Sequence, residues 1–209
     1  MGEAFRANAK AEGQCVVIGG WECINGTPPS RARWFSVALN RRSAPWAFAR
    51  GEPFRTIAAL ELYASLVCYV MFSPRWLKAT KGTVRLSGIT DNLGNSFVIS
   101  RLMTSKFPSL VILTEFAAQL RRNSMELELG WVPRDQNQEA DRLTNECFND
   151  FDPKMRMHFN PVEAKWLVMT DMLQASEHIY ATLKDKKVGA RVMAPKRRPG
   201  ERLRVRDPW

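Results

Sequence analysis

Histidine and cysteine are scarce in this 209-residue chain. The two histidines are His158 and His178, and the four cysteines, Cys15, Cys23, Cys68 and Cys147, form no C-x-x-C pair. That excludes a zinc-finger type of site and a disulfide framework. It fits a reducing compartment, so an intracellular setting, cytoplasmic or nuclear, is expected. Long apolar runs are lacking too. The most apolar stretch, Leu62 to Phe72, falls short of the ~20 residues that span a bilayer. The opening MGEAFRANAK has no apolar core of a signal peptide. Acid is short relative to base: 21 Asp plus Glu face 31 Lys plus Arg, a net charge of +10. Such a balance favours a polyanionic partner, nucleic acid or an acidic membrane surface.

What is present is ordinary for a folded protein. Hydrophobic residues make up 45% and charged residues 25% of the chain, enough for a real core. The base is not evenly spread. From Lys186 onward nine basic residues, among them Lys196, Arg197 and Arg198, meet two acids, Glu201 and Asp207. The last 24 residues thus carry +7 of the +10, with Pro195, Pro199, Gly189 and Gly200 breaking any helix. A disordered basic tail over 186–209 is expected, either a nucleic-acid contact or nuclear address, or a plain solvated tail.

Upstream, periodicity predicts strands over Phe5–Ala9, Cys15–Cys23 and Ala32–Leu39, linked as an antiparallel meander. A helix over Thr56–Phe72 is apolar nearly all round and therefore buried. Val84–Thr90 alternates as a strand, Asn95–Met103 and Ser109–Arg122 read as helices, Leu127–Val132 as a strand and Gln136–Phe148 as a helix. A longer helix is predicted over Pro161–Leu183. The order β-β-β-α-β-α-α-β-α implies an α/β fold with a mixed five-stranded sheet and flanking helices. The division expected is 1–150 for this domain, 151–185 for a helical extension and 186–209 for the tail.

Three acids stand out. Glu61 interrupts the apolar helix, where an unpartnered carboxylate is costly and must shift its pKa, find a cation, face a cleft or emerge at the helix edge. Asp91 closes the strand VRLSGIT, as a site residue or as an N-cap for the next helix. Asp141 lies in NQEADRLTN, functional or solvated at a helix start. Trp21, Trp34, Trp46 and Trp131 could stack on bases, although packing is the expected role. Met155, Met157, Met169 and Met172 read as packing. Arg41 and Arg42, after the third strand, are candidates for phosphate contact or a solvated turn.

Four stretches in order resemble the ribonuclease H domain, in particular that of retrotransposon reverse transcriptases. RANAKAEGQCVVIGGWEC is similar to its first hairpin, RTIAALELYASL to its first helix, GITDNLGN to the end of its fourth strand, and WVPRDQNQEADRLTN to its W-V-P…N-x-x-A-D-x-L block. The resemblance covers residues 5 to 148. It implies cleavage of RNA in RNA–DNA hybrids by two divalent metals, Mg²⁺ or Mn²⁺, held by carboxylates. Glu61, Asp91 and Asp141 would be the ligands.

The chain departs from that pattern twice. The family's first Asp, which bridges both metals, falls on Asn8, a neutral amide. The loop before the last acid, PRDQN, lacks the histidine that many members carry. Seven residues precede Asn8 and no polymerase domain lies upstream, which suggests a fragment of a degenerate element or a gene model begun inside one. Activity weakened or lost is therefore expected. A non-catalytic nucleic-acid-binding module, or a relic, is the alternative; in either case the partner is nucleic acid rather than membrane.

Overall fold

A computed structural model of the chain describes residues 2–49, 51–76 and 83–176. The described residues as far as Leu173 form one compact unit. The basic tail, with Lys196, Arg197 and Arg198, lies outside the described residues, as does His178.

β1 (Phe5–Glu12) and β2 (Cys15–Glu22) form a hairpin in which Glu12 pairs with Cys15. Its two-residue loop opens on Gly13, at φ +56°, a conformation that tight hairpins require and glycine adopts without cost. β3 (Trp34–Leu39) adds antiparallel to β2. After a short helix α1 (Pro45–Phe48), the long helix α2 (Ile57–Trp76) crosses the sheet. β4 (Val84–Thr90) then pairs parallel to β1, and β5 (Met125–Trp131) parallel to β4. Between them come α3 (Leu93–Arg101) and α4 (Ser109–Arg122), and after them α5 (Gln138–Thr144). The sheet order is β3-β2-β1-β4-β5, the mixed five-stranded α/β sheet that the sequence predicts.

α2 is buried because it has almost no polar face. Leu60, Leu62, Tyr63, Leu66, Val67, Tyr69 and Phe72 are all fully enclosed, against the sheet on one side and α4 on another. Each such side chain contributes roughly 1.5–3 kcal/mol. The apolar stretch is longer than Leu62 to Phe72: Pro53–Ser73 is long and apolar enough to cross a membrane, but 72% of it is buried inside the fold, as befits a core helix.

Two glycines of β2 let helices approach the sheet from both faces. A Cβ on Gly20 would meet the Cys68 sulfur of α2, and one on Gly19 would come within 2.9 Å of Leu143 in α5. On the α5 side a smaller cluster of Trp21, Trp34, Ala140, Leu143 and Phe151 completes the packing. Trp21, Trp34 and Trp46 are buried as packing residues, and Met157, Met169 and Met172 join the main core.

The sheet's two edges differ. β3 is covered: Arg156 bridges to Trp34, the Met157 amide donates to the Trp34 carbonyl at 2.7 Å, and the Trp34 indole donates to the Asp152 carbonyl at 2.8 Å. β5 pairs, among the described residues, with β4 alone.

Some element limits move. β1 runs on to Glu12, and α5 is shorter than the predicted Gln136–Phe148. The larger correction concerns Pro161–Leu183. Residues 161–168 are irregular, and a helix, α6, occupies 169–176; the rest of that range lies outside the described residues. The cause is a long-range cap. Glu115, fully buried on α4, accepts from the backbone amides of Leu167, Val168 and Met169 at 2.8–2.9 Å, which fixes where α6 begins.

Candidate nucleic-acid interface and acidic site

β1, β3 and β4 point the same way, so their C-terminal ends lie at one end of the sheet. Arg6 pairs with Ile89 across β1 and β4. Asn8 and Asp91 therefore stand at matching positions two residues further along the chain, Asp91 just past the end of β4. α2 brings Glu61 to the same place: Asn8, Glu61, Asp91 and Arg134 line one cavity of about 310 Å³, with Lys10 and Glu12 at its border. Asp141 reaches Asn8 from α5. The Asn8 amide nitrogen donates to Asp141 Oδ1 at 3.2 Å, while the Asn8 oxygen accepts the Ala9 N–H at 2.8 Å.

The loop before α5 is anchored to β1. Arg6 donates to the Gln136 carbonyl, and the Asn137 amide donates to the Ala7 carbonyl at 3.2 Å. This places the backbone at Arg134, whose exposed side chain donates from Nη2 to Asp141 Oδ1 at 2.7 Å. Asn145 donates to the other Asp141 oxygen at 2.9 Å.

Asp91 is not the cap of α3. That role falls to Asn92, whose oxygen accepts the Asn95 N–H at 3.1 Å. The Asn92 amide nitrogen turns back and donates to Glu61. Glu61 faces this cavity, and burial pushes its carboxyl up to about 7, with the neighbouring Asp91 adding to the rise and Asn92 and Arg134 opposing it. Burial also raises Asp91, where Arg134 opposes the shift and Asp141 adds to it. Arg134 is raised in turn, chiefly by its bond to Asp141. Its charge is felt at all three acids.

The family's chemistry asks for hard oxygen ligands shared between two cations. Here Asp141 already accepts from Arg134, Asn8 and Asn145, and Glu61 accepts from Asn92. Among the four, Asp91 Oδ1 is the oxygen buried without a partner. Among the described residues no three Asp, Glu, His or Cys side chains are grouped closely enough to hold an ion. The residues as they stand do not fit a two-metal centre.

The basic candidates spread around the same end of the sheet. Arg41 and Arg42 are exposed in the turn after β3; Arg41 stacks over Phe48 at 5.4 Å and donates to Gln14 at 3.4 Å. Trp131, at the end of β5, is 46% exposed and donates to the Asp91 carbonyl at 3.0 Å. Sequence reasoning passed over Arg134 and Asn92. Arg134 carried a signal, being the one base in the loop where the family keeps histidine; Asn92 carried the signal of a cap.

Solved structures carry this architecture. LC11 RNase H1, solved in complex with an RNA/DNA hybrid, is 14% identical, with a TM-score of 0.50 over 69% of this chain and 95% of that one. The fold is ribonuclease H-like. At that identity the likeness shows the ribonuclease H-like fold and nothing finer. Two further structures have TM-scores below 0.5. RNase H1 from Halobacterium salinarum is 14% identical, with a TM-score of 0.46 over 70% of this chain and 96% of its own. The N-terminal RNase H domain of rv2228c from Mycobacterium tuberculosis is 21% identical, with a TM-score of 0.42 over 69% of this chain and 91% of its own. No protein-family model matches the chain, and no curated protein does.

Proposed function

We propose that this chain is a ribonuclease H-like domain of retrotransposon reverse-transcriptase ancestry that binds RNA–DNA hybrid inside the cell and cleaves it weakly or not at all. The ancestry rests on the four motif stretches, which fall on successive elements of a ribonuclease H-like sheet. Glu61, Asp91 and Asp141 mark the ancestral ligand positions, and Asn8 the altered one. Arg41 and Arg42 are the proposed phosphate contacts, joined by Lys196, Arg197 and Arg198 of the tail.

One observation carries the loss of activity. Asn8 meets Asp141 through its N–H, as a donor. A carboxylate at this position would place two like charges together, and only a cation between them would make that favourable. The amide removes the need for that cation and also the ligand that would bridge two of them. A second reading, a binding module with no hydrolysis at all, draws on the same bond.

The test is a hybrid cleavage and binding assay with Mg²⁺ or Mn²⁺. The unaltered chain should bind hybrid with an affinity that falls linearly in log salt, and cleave it poorly. Asn8→Asp should raise cleavage measurably. Robust cleavage by the unaltered chain would show that the amide does not limit hydrolysis. Absence of hybrid binding would remove the reading altogether.

A further inference from the structure

We infer that Arg134 is a built-in counterion of the acidic site, supplying from the chain itself the positive charge that this fold's acids otherwise require from a divalent metal. The idea goes beyond the proposed function and stands without it. Arg134 lines the cavity with Asn8, Glu61 and Asp91, and its Nη2 lies 2.7 Å from Asp141 Oδ1. A cation in that position faces every acid of the set. Its side chain is 76% exposed, but its backbone is anchored: the short turn Arg134–Gln136 is tied to β1 by Arg6 on the Gln136 carbonyl and by Asn137 on the Ala7 carbonyl.

The nearby alternative is spent elsewhere. Lys10 also borders the cavity, but its ammonium lies 3.0 Å from Asn145 Oδ1 and 3.1 Å from Glu12. Among the described residues, Arg134 is therefore the cation bonded directly to one of these acids, Asp141.

Asn8 belongs to the same device. Asp141 Oδ1 takes both the Arg134 guanidinium and the Asn8 amide, two donors on one oxygen. With Arg134 in place, one positive charge is already opposite Asp141, and a neutral donor at position 8 completes the shell. With Asp at position 8, the added negative charge would compete for Arg134 and repel Asp141. Asn8 and Arg134 are thus a matched pair, and the amide is a compensated substitution rather than isolated damage. Reversing it alone restores a ligand, while the cation still competes with the metal and holds the gain below that of the double change.

Manganese itself is the probe, read by the loss of its free-ion electron paramagnetic resonance signal on adding the full chain. Thermal unfolding in chelator checks that each variant is folded. The unaltered chain and Arg134→Lys, which keeps the charge, should leave the Mn²⁺ signal unchanged at equimolar ion. Arg134→Gln keeps an N–H donor for Asp141 but drops the charge, and should bind Mn²⁺ about tenfold tighter or more, as removal of a close like charge requires. Asn8→Asp combined with Arg134→Gln should bind tighter again, whereas Asn8→Asp alone should bind no better than Arg134→Gln. Stoichiometric Mn²⁺ binding by the unaltered chain overturns the inference, a result that needs no variant to fold. Equal binding by the Lys and Gln variants overturns it as well, and so does Asn8→Asp alone matching the double variant.

Discussion

Glu115 and Glu61 are both glutamates on core helices, and the fold treats them in opposite ways. Glu115 sits at 0% exposure and accepts four hydrogen bonds, from the Gln119 side chain and three consecutive backbone amides. Glu61 lines a cavity, accepts a hydrogen bond from the Asn92 side chain, and has Asp91 as a like-charged neighbour. A carboxylate that the structure needs is surrounded by donors. A carboxylate left short of donors at a cleft is one the structure merely tolerates, and that marks Glu61 as a functional-site candidate.

Removing the two groups should separate these roles. Glu115→Ala strands three amides, that of Met169 fully buried, and leaves a cavity; it should cost about 4 kcal/mol, lowering the melting temperature by roughly 10 °C. A loss below ~1 kcal/mol would mean that the 167–169 amides find other acceptors and that Glu115 is not the cap.

The next largest effect is on pH. Glu61 rises from its ordinary 4.5 to about 7 on folding, so the folded state holds a proton that the unfolded chain gives up. Stability should therefore be level below about pH 4.5, fall between pH 4.5 and 7, and level off above. The total drop should be roughly 3 kcal/mol, with Asp91 contributing in the same direction. Chemical denaturation across that range measures it, and Glu61→Gln should flatten most of the slope. A slope of the opposite sign would mean that donors and not burial set the charge state of Glu61.

Smaller again is Asn92→Ala. It removes the α3 cap, costing about 1 kcal/mol. It also removes the donor that holds Glu61 down, so the Glu61 carboxyl should titrate higher, as carbon-13 chemical shifts would show. The smallest effect is Glu61→Gln at pH 5, where the folded side chain is already neutral. A change within about 0.5 kcal/mol is expected, and a larger loss in a melting curve would mean that its charge is needed for folding.

The strands and helices were legible in the sequence because each carries its own periodicity, down to the limits of Val84–Thr90 and Ser109–Arg122. So were Glu61, Asp91 and Asp141 as unusual acids, since local burial and strand ends show in the pattern. What escaped is what depends on partners far along the chain. The irregular run 161–168 looked helical because its apolar residues pack on the core; Glu115, some fifty positions earlier, decides where the helix starts. Asn92 rather than Asp91 caps α3, a choice between neighbours that composition does not make. Arg134 gained meaning only when β1 placed Asn8 beside Asp141.

The open flank of the sheet bears on how the molecule behaves in concentrated solution. With β3 overlaid, β5 is the described strand on which backbone pairing between molecules could begin. It exposes Glu126 and Glu128 on one face, and Arg85 of β4 is paired with Glu128 at 3.2 Å. Two copies meeting there about a two-fold axis normal to the sheet would set glutamate rows against each other at cross-strand spacing. Acidic repulsion thus discourages self-association of an otherwise strongly basic protein at the side where its sheet is unfinished.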